Sequence, residues 1–134
     1  MGIENVFSPV DIAVSGLRAQ SLRINVIANN IANANSRLES GQPYRRQNVV
    51  LSSSPEELSG VTVVEVAGDF SSAFKSVYQP GHPDANEEGY LVMPNVDLPV
   101  EMMHMVMASR AYQANTAVLK RYQEMADVTL ELLR

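Results

Sequence analysis

Residues 8–35, SPVDIAVSGLRAQSLRINVIANNIANAN, decide the fold, because apolar residues recur through them at three- and four-residue spacing. This spacing predicts an α-helix that carries apolar side chains on two adjacent faces. The first face holds Ala13, Leu17, Gln20, Ile24, Ile27, Ile31 and Ala34, and the second holds Ile12, Ser15, Ala19, Leu22, Val26 and Asn29. A surface helix needs only one apolar stripe, so this helix is expected to have several neighbours.

The C-terminal segment repeats the double pattern. One face holds Met107, Ala111, Ala114, Val118, Met125, Val128 and Leu132, and the adjacent face holds Met105, Ala108, Tyr112, Leu119, Tyr122, Ala126 and Leu133. A chain of 134 residues cannot supply enough neighbours for both helices. The missing neighbours are expected to be other copies or related subunits.

Cap residues indicate where the helices begin. Ser8 suits an N-cap and Pro9 the first helical position, and the first helix is predicted to run to about Ala34. The second helix is predicted to begin near Asp97, with proline and an acidic residue in its first turn, and to continue to Leu133. An unbroken helix of that size is about 55 Å long at ~1.5 Å per residue.

Five asparagines crowd the second half of the first helix, at positions 25, 29, 30, 33 and 35. Asn25, Asn29 and Asn33 follow one another at four-residue spacing and form a row on the helix surface. One interpretation is a polar helix end that frays in water. The interpretation that we favour is that the amides fix register across a packed interface, as buried asparagines do in coiled coils.

The segment between the helices changes to short β-prone runs that turn residues separate. Strands are predicted at residues 44–51, 61–66, 73–78 and 89–93. The predicted fold class is α+β, with long N- and C-terminal helices that pair as a coiled-coil-like domain around a small β-rich insertion. The predicted divisions are residues 1–36 for the N-terminal helix, 37–96 for the central domain and 97–134 for the C-terminal helix.

Charge and composition exclude several classes of partner. The net charge is −5, and residues 37–96 carry eight acidic but only four basic side chains. No basic stripe exists to neutralise phosphates, so a nucleic-acid partner is not expected. Arg45 and Arg46 are interpreted as a solvated pair.

The chain contains no cysteine, so a disulfide framework and a thiolate metal site are both excluded. The N-terminal residues lack the basic region and the apolar run of a cleaved secretory signal. No stretch approaches the roughly 20 apolar residues of a membrane span. We expect no direct membrane insertion, and export, if it occurs, by a route without a cleaved leader.

The sequence offers little support for catalysis. His82 has carboxylates close by but no second imidazole, and His104 lies in a methionine-rich run, Met102–Met107. Methionines at successive helical positions point all round the helix and do not converge on one ion, so adaptable packing is the better interpretation. Since no nucleotide-binding, hydrolase or zinc motif is present either, we expect no catalytic residue, cofactor or metal, and no enzyme.

Four separated motifs resemble those of the bacterial flagellar rod and hook family. Residues 28–36, ANNIANANS, are similar to the signature of its N-terminal helix. Residues 78–85, YQPGHPDA, then 94–98, PNVDL, and 108–115, ASRAYQAN, follow in the family's order. The last three segments are most similar to those of a proximal rod protein of the flagellar basal body.

This resemblance implies a structural subunit of the proximal rod, which assembles with other rod proteins through its terminal helices into a hollow drive shaft that transmits torque. The implied partners are the other proximal and distal rod proteins, the adaptor that joins the rod to the membrane ring, and the flagellar type III export apparatus. The implied location is the basal-body rod where it crosses the periplasm.

The expected subunit interface combines apolar and polar side chains of both helices. Its members are Leu17, Ile24, Ile27, Asn29, Asn30, Ile31, Asn33, Met107, Arg110, Tyr112, Gln113, Asn115, Val118, Leu119, Tyr122 and Met125. Arg110 suits an interchain hydrogen bond as well as it suits a snorkelling side chain at a solvated edge. The alternative function is a soluble helical adaptor or export chaperone that binds partner helices through the two faces.

Overall fold

The computed structural model describes residues 8–38, 40–53 and 60–133. Its elements are α1 (Ser8–Ala32), β1 (Gln47–Ser53), β2 (Val61–Gly68), β3 (Lys75–Tyr78), β4 (Tyr90–Met93) and α2 (Leu98–Leu132). Two long helices therefore enclose a short β-rich segment in the chain order. This arrangement confirms the predicted α+β class.

The two helices lie antiparallel against each other and form a unit that we call the helical hairpin. Asn30 near the end of α1 bonds Glu101 near the start of α2, and Asn115 lies against Gly16. Because α1 has 25 residues and α2 has 35, the two helices differ in length by about three turns.

Small side chains line the contact between the helices. Ala13, Ala19 and Ala108 are buried there, and a Cβ atom at Gly16 would lie only 2.6 Å from Asn115 Nδ2. Small residues let two helices approach closely, because their ridges are low and fit shallow grooves. Close approach of the helices therefore depends on the alanine and glycine positions of the predicted apolar faces.

The helix ends follow the predicted chemistry closely. Asp97 is the N-cap of α2, and its Oδ1 atom accepts a hydrogen bond of 3.4 Å from the Val100 N–H. At the C-terminal end of α1, the side-chain amide of Asn33 donates to the Asn29 carbonyl at 2.9 Å. The predicted capping by Ser8 concerns a side chain outside the described residues.

The strands form two separate antiparallel hairpins. β1 pairs with β2 from Gln47 opposite Gly68 to Ser53 opposite Val61, and the register shifts between Val50 and Leu51, where Val64 of β2 has no opposite residue. β3 pairs with β4, and the Tyr78 and Tyr90 rings meet edge to face there with centroids 5.3 Å apart. All four strands fall within about three residues of their predicted bounds.

A buried carboxylate joins the helical hairpin to the β-rich segment. Glu101 is completely buried, and its Oε1 atom accepts a 2.7 Å hydrogen bond from Arg46 Nε just before β1. Its Oε2 atom accepts a 3.0 Å bond from Asn30 Nδ2. We call Asn30, Tyr44, Arg46 and Glu101 the central polar cluster.

The amide of Asn30 is fully used inside this cluster. Its nitrogen donates to the Gln47 carbonyl at 2.9 Å as well as to Glu101, and its oxygen accepts from the Gln47 N–H and from Tyr44 Oη. Burial, and after it the negative charge of Glu101, raises the pKa of the Tyr44 hydroxyl. These four bonds within the chain leave the Asn30 amide no free donor or acceptor, and the inter-subunit polar contact expected of Asn30 stays a prediction.

The interpretation of Arg45 and Arg46 as a solvated pair is wrong. Arg46 holds Glu101, donates to Asn48 Oδ1 at 2.6 Å, and keeps about a fifth of its side chain exposed. The Arg45 guanidinium lies between the rings of Phe70 and Phe74, 4.5 and 4.3 Å from their centroids. Both arginines are thus fixed by groups that are distant in sequence.

Asp69 fixes the loop that follows β2. Its carboxylate accepts hydrogen bonds from the hydroxyls of Ser71 and Ser72, at 2.6 and 2.8 Å, and from both backbone N–H groups. These bonds, led by that of the Ser71 hydroxyl and then that of Ser72, hold the pKa of the Asp69 carboxyl far below its ordinary value. The loop is further tied down by Asn95, whose amide donates to the Asp69 and Ser72 carbonyls.

Replacing the buried carboxylate should destabilise the chain strongly. In Glu101→Leu, the Arg46 guanidinium loses its buried charged partner and the Asn30 amide loses one of its two acceptors, so we expect a loss of about 3–5 kcal/mol in the free energy of unfolding. Urea unfolding followed by circular dichroism measures it. Glu124→Gln, at an exposed position of the same helix, should change the value by less than about 0.5 kcal/mol. A loss below about 1 kcal/mol for Glu101→Leu would contradict the structural role of the cluster.

Asp69 should contribute a pH-dependent part of the stability. Because its folded-state pKa is depressed, the contribution is present above the unfolded pKa of about 3.9 and is lost as the pH falls towards the folded value. Asp69→Asn should therefore be less stable than wild type at pH 7 and lose less stability between pH 4 and pH 2. Urea midpoints across pH 2–7 test this, with Asp127→Asn as the control that keeps the wild-type slope. Equal slopes for Asp69→Asn and wild type would refute the assignment.

Candidate assembly surface

The helix α2 exposes large apolar side chains along its length, which we call the apolar row. Met107, Met125 and Leu132 are 61%, 61% and 82% exposed, and Met102, Met103, Val106, Val118, Val128 and Leu130 are also more than half exposed. Contiguous apolar surface of this kind marks a protein contact, since a monomeric protein rarely leaves it in water. The row runs along nearly the whole of α2.

The structure distributes the expected interface residues among three degrees of burial. Ile27 and Asn30 are buried. The half-buried group is Leu17, Ile24, Ile31, Asn33, Asn115, Leu119 and Tyr122, and the exposed group is Asn29, Met107, Arg110, Tyr112, Gln113, Val118 and Met125. Six of the seven exposed members lie on α2. The free surface therefore belongs mainly to α2, whereas much of the apolar pattern of α1 serves the contact inside the hairpin.

A groove of about 410 Å³ lies between the two helices beside β1, and we call it the α1–α2 groove. Its apolar wall consists of Val26, Ile27, Met107, Ala108 and Ala111. Its polar side consists of Gln20, Arg23, Asn30, Arg46, Gln47, Asn48, Glu101 and His104, with Val49 beside them. Gln20 Oε1 is buried there without a hydrogen-bond partner among the described residues. The groove thus combines an apolar wall with polar groups, as pockets for protein side chains do.

His104 lines this groove. Its Nδ1 atom lies 3.5 Å from Arg46 Nη2 and 3.7 Å from Glu101 Oε1. Within residues 8–38, 40–53 and 60–133, no group of three or more histidine, aspartate and glutamate side chains is arranged to hold a metal ion. The methionines around His104 pack little inside the chain, since Met102, Met103 and Met107 are all more than half exposed.

Charges are segregated along the helical hairpin. The basic residues of the two helices are Arg18 and Arg23 on α1 and Arg110, Lys120 and Arg121 on α2. By contrast, residues 122–133 contain Glu124, Asp127 and Glu131 and no basic residue. The described end of α2 is therefore acidic, and its basic residues come before it.

In the part of the chain that the structure describes, no helix has the length and hydropathy that a membrane span needs.

Sequence reasoning missed the residues that hold the hairpin to the β-rich segment. Glu101 looked like an ordinary acidic residue in a helix first turn, and no spacing rule places Arg46 beside it. Asp69 could have been found, because an aspartate followed by two serines is typical of side-chain-capped turns.

Comparisons with known proteins agree with this geometry. Residues 11–36 match the family described as flagella basal body rod protein, and residues 87–132 match the C-terminal family of the flagellar basal body rod FlgEFG proteins. The two matches cover most of α1 and of α2.

Whole-chain relatives are similar over almost their full length. The flagellar basal-body rod protein FlgC of Salmonella typhimurium is 44% identical, with 98% of each chain covered. The FlgC proteins of Borreliella burgdorferi and Aquifex aeolicus are 39% and 34% identical, with at least 95% of each chain covered. The chain therefore belongs to the FlgC family of flagellar basal-body rod proteins.

Proposed function

We propose that this chain is a structural subunit of the proximal part of the flagellar rod, which assembles through its helical hairpin into a hollow shaft that transmits torque. The observation that carries the proposal is the apolar row of α2, which stays exposed in the single chain. The chain also belongs to a family of rod proteins. A rod subunit needs such a row, because its helices must be buried against those of its neighbours.

The inner structure of the chain suits a mechanical role. Close-packed helices deform little under load, and the small residues between α1 and α2 bring the two helices close together. The buried Glu101 is bonded to Arg46 and to Asn30, so it ties the β-rich segment to the hairpin. A force applied to the β-rich segment would pass through this cluster into the helices.

The interface that we propose consists mainly of the exposed members of the expected set. They are Asn29, Met107, Arg110, Tyr112, Gln113, Val118 and Met125. The half-buried members, Leu17, Ile24, Ile31, Asn33, Asn115, Leu119 and Tyr122, would complete it at the edges of the hairpin. We leave Asn30 out, because its amide is fully bonded within the chain. Ile27 belongs to the core that supports the surface.

The partners that we propose follow from this role. They are further rod proteins at either end of the proximal rod, the adaptor that joins the rod to the membrane ring, and the type III export apparatus, which would deliver the chain without a cleaved signal. The site would be the rod where it crosses the periplasm. We infer no catalytic activity, since the relatives are rod proteins and the apolar row offers no chemistry.

A soluble helical adaptor or export chaperone is the less favoured alternative. It would also need exposed helix faces, but it would have no reason to resemble FlgC proteins over 98% of its length. Its behaviour would differ as well, since an adaptor stays dispersed in the cytoplasm whereas a rod subunit is recovered with basal bodies.

Val118→Asp tests the proposed interface. Val118 is 51% exposed in the single chain, so the change should alter the free energy of unfolding by less than about 1 kcal/mol. In the assembled rod the same carboxylate would enter an apolar contact without a partner, which is costly enough to block assembly. We expect the variant to be exported but absent from purified basal bodies, and the cells to be non-motile.

Thr62→Asp is the matched control, because Thr62 is exposed on β2 and lies outside the helical hairpin. It should leave both assembly and swimming intact. Normal motility of the Val118→Asp strain, with the variant present in its basal bodies, would refute the assignment of this face to the interface.

A further inference from the structure

We propose that Ser15 and Gly60 form a second attachment between α1 and the β1–β2 hairpin, and that two attachments together hold this hairpin at one orientation along α1. The first attachment lies at the central polar cluster, where the Asn30 amide bonds the backbone of Gln47. The second attachment is a property of the single chain. Its mechanical consequence, that the hairpin does not pivot when force acts on it, rests on the proposed function.

The Ser15 hydroxyl joins the start of β2 to α1. It donates a hydrogen bond of 2.8 Å to the Ile12 carbonyl and accepts one of 3.0 Å from the Val61 N–H. Because the hydroxyl hydrogen is directed to Ile12, a lone pair of the oxygen is left to face Val61. A serine on a largely apolar face of α1 therefore has a bonding partner outside its own helix.

Glycine at position 60 lets the chain approach α1 closely just before β2. Gly60 has a φ of +86°, a left-handed conformation that favours glycine. A Cβ atom there would also collide with the Ser15 hydroxyl and would lie 3.2 Å from Ile12 Cα, which is backbone and cannot move aside as a flexible side chain could. Gly41 has a similar φ of +80°, but a Cβ atom there would meet nothing within 4 Å. Position 60 therefore needs glycine for its conformation and for its contact, and position 41 for its conformation alone.

The two attachments lie at opposite ends of the β1–β2 hairpin. Gln47 is the first residue of β1, whereas Val61 is the first residue of β2 and pairs with Ser53, the last of β1. Asn30 and Ser15 are 15 residues apart on α1, which is an axial separation of about 22 Å at ~1.5 Å per residue. The length of β1 is about 20 Å at ~3.3 Å per residue. Since these two lengths agree, the geometry lets both ends of the hairpin bond to the same helix.

The end of the hairpin at Val61 depends on this attachment, because its side chains bury little surface. Ser52, Ser53, Val61 and Thr62 are all exposed. A segment that is attached to a helix at one point can turn about that point, whereas attachment at two separated points fixes its direction. Loss of the second attachment therefore frees this end, while the central polar cluster keeps the other end in place.

Amide hydrogen exchange tests the Ser15 bond in the isolated full-length chain. In Ser15→Ala the Val61 N–H loses its acceptor, so its exchange should become about three- to tenfold faster, the effect of one neutral hydrogen bond. The Asp69 N–H, which donates to the Arg46 carbonyl near the other end of the hairpin, should keep its wild-type rate. An equal Val61 rate in wild type and Ser15→Ala would overturn the assignment of this bond.

Spin labels test the orientation, because the chain has no cysteine of its own. Labels on Ser21→Cys of α1 and Thr62→Cys of β2, both at exposed positions, report the distance between the helix and the start of β2. With Gly60→Ala added we expect a broader distance distribution, whereas the matched Gly41→Ala should keep the original width. The two variants share the backbone strain and differ in the contact with α1, so equal widths would overturn the proposal.

Circular dichroism checks that the labelled variants keep their helix content. If Gly60→Ala lowers this content, the same pair of labels is measured in Ser15→Ala, which adds no atom to the contact. The distribution should broaden there as well. An unchanged width in a folded Ser15→Ala chain would overturn the second attachment.

The outcomes separate this proposal from the proposed function. Exchange and distance are measured on the isolated chain, so their failure leaves the rod assignment intact. In flagellated cells, the Gly60→Ala chain should be present in basal bodies, because position 60 lies outside the apolar row, but these cells should swim more slowly in a viscous medium than cells with Gly41→Ala. Equal speeds would overturn the mechanical consequence. Absence of the wild-type chain from basal bodies would instead overturn the proposed function and leave the attachment intact.

Discussion

The arrangement of this chain depends on one buried carboxylate. Glu101 lies at the start of α2 and is bonded to Asn30 of α1 and to Arg46, which precedes β1. An unpaired charge in that position would be strongly unfavourable, so the three segments must come together in one geometry or lose several kcal/mol. The apolar contact between α1 and α2 is non-directional and does not by itself fix one register. The polar cluster selects one register among those that packing alone allows.

The small size of the side chains between the helices also explains why so much apolar surface of α2 stays exposed. Small residues bring the two helices close together, and large apolar side chains of α2, among them Val118 and Met125, stay exposed. The chain therefore buries little of the apolar surface of α2 in its own fold. Most of the remainder is available for neighbours, which agrees with membership of a family of rod proteins.

Local patterns predicted the elements of the fold well, because helices and strands are fixed by periodicity and by caps. The double apolar faces predicted both helices, and Asp97 predicted the start of α2. Long-range pairing was not predictable from spacing, and for this reason Arg45 and Arg46 were misassigned: Phe70 lies 25 residues from Arg45, and Glu101 lies 55 residues from Arg46. The expected subunit interface stays a prediction, and it assigns apolar faces to both helices. Which of those faces turn inward depends on the hairpin register, which the sequence pattern does not contain.

The distance in sequence between the partners of the central cluster also bears on when the chain can fold. Asn30 and Glu101 are 71 residues apart, and Arg46 and Glu101 are 55 apart. Contacts between residues so far apart in sequence form slowly, because closing a long loop costs conformational entropy before any contact stabilises it. During synthesis the first helix and both hairpins are complete before Glu101 exists. The bonds that join the β-rich segment to both helices therefore cannot form until the last quarter of the chain is being made.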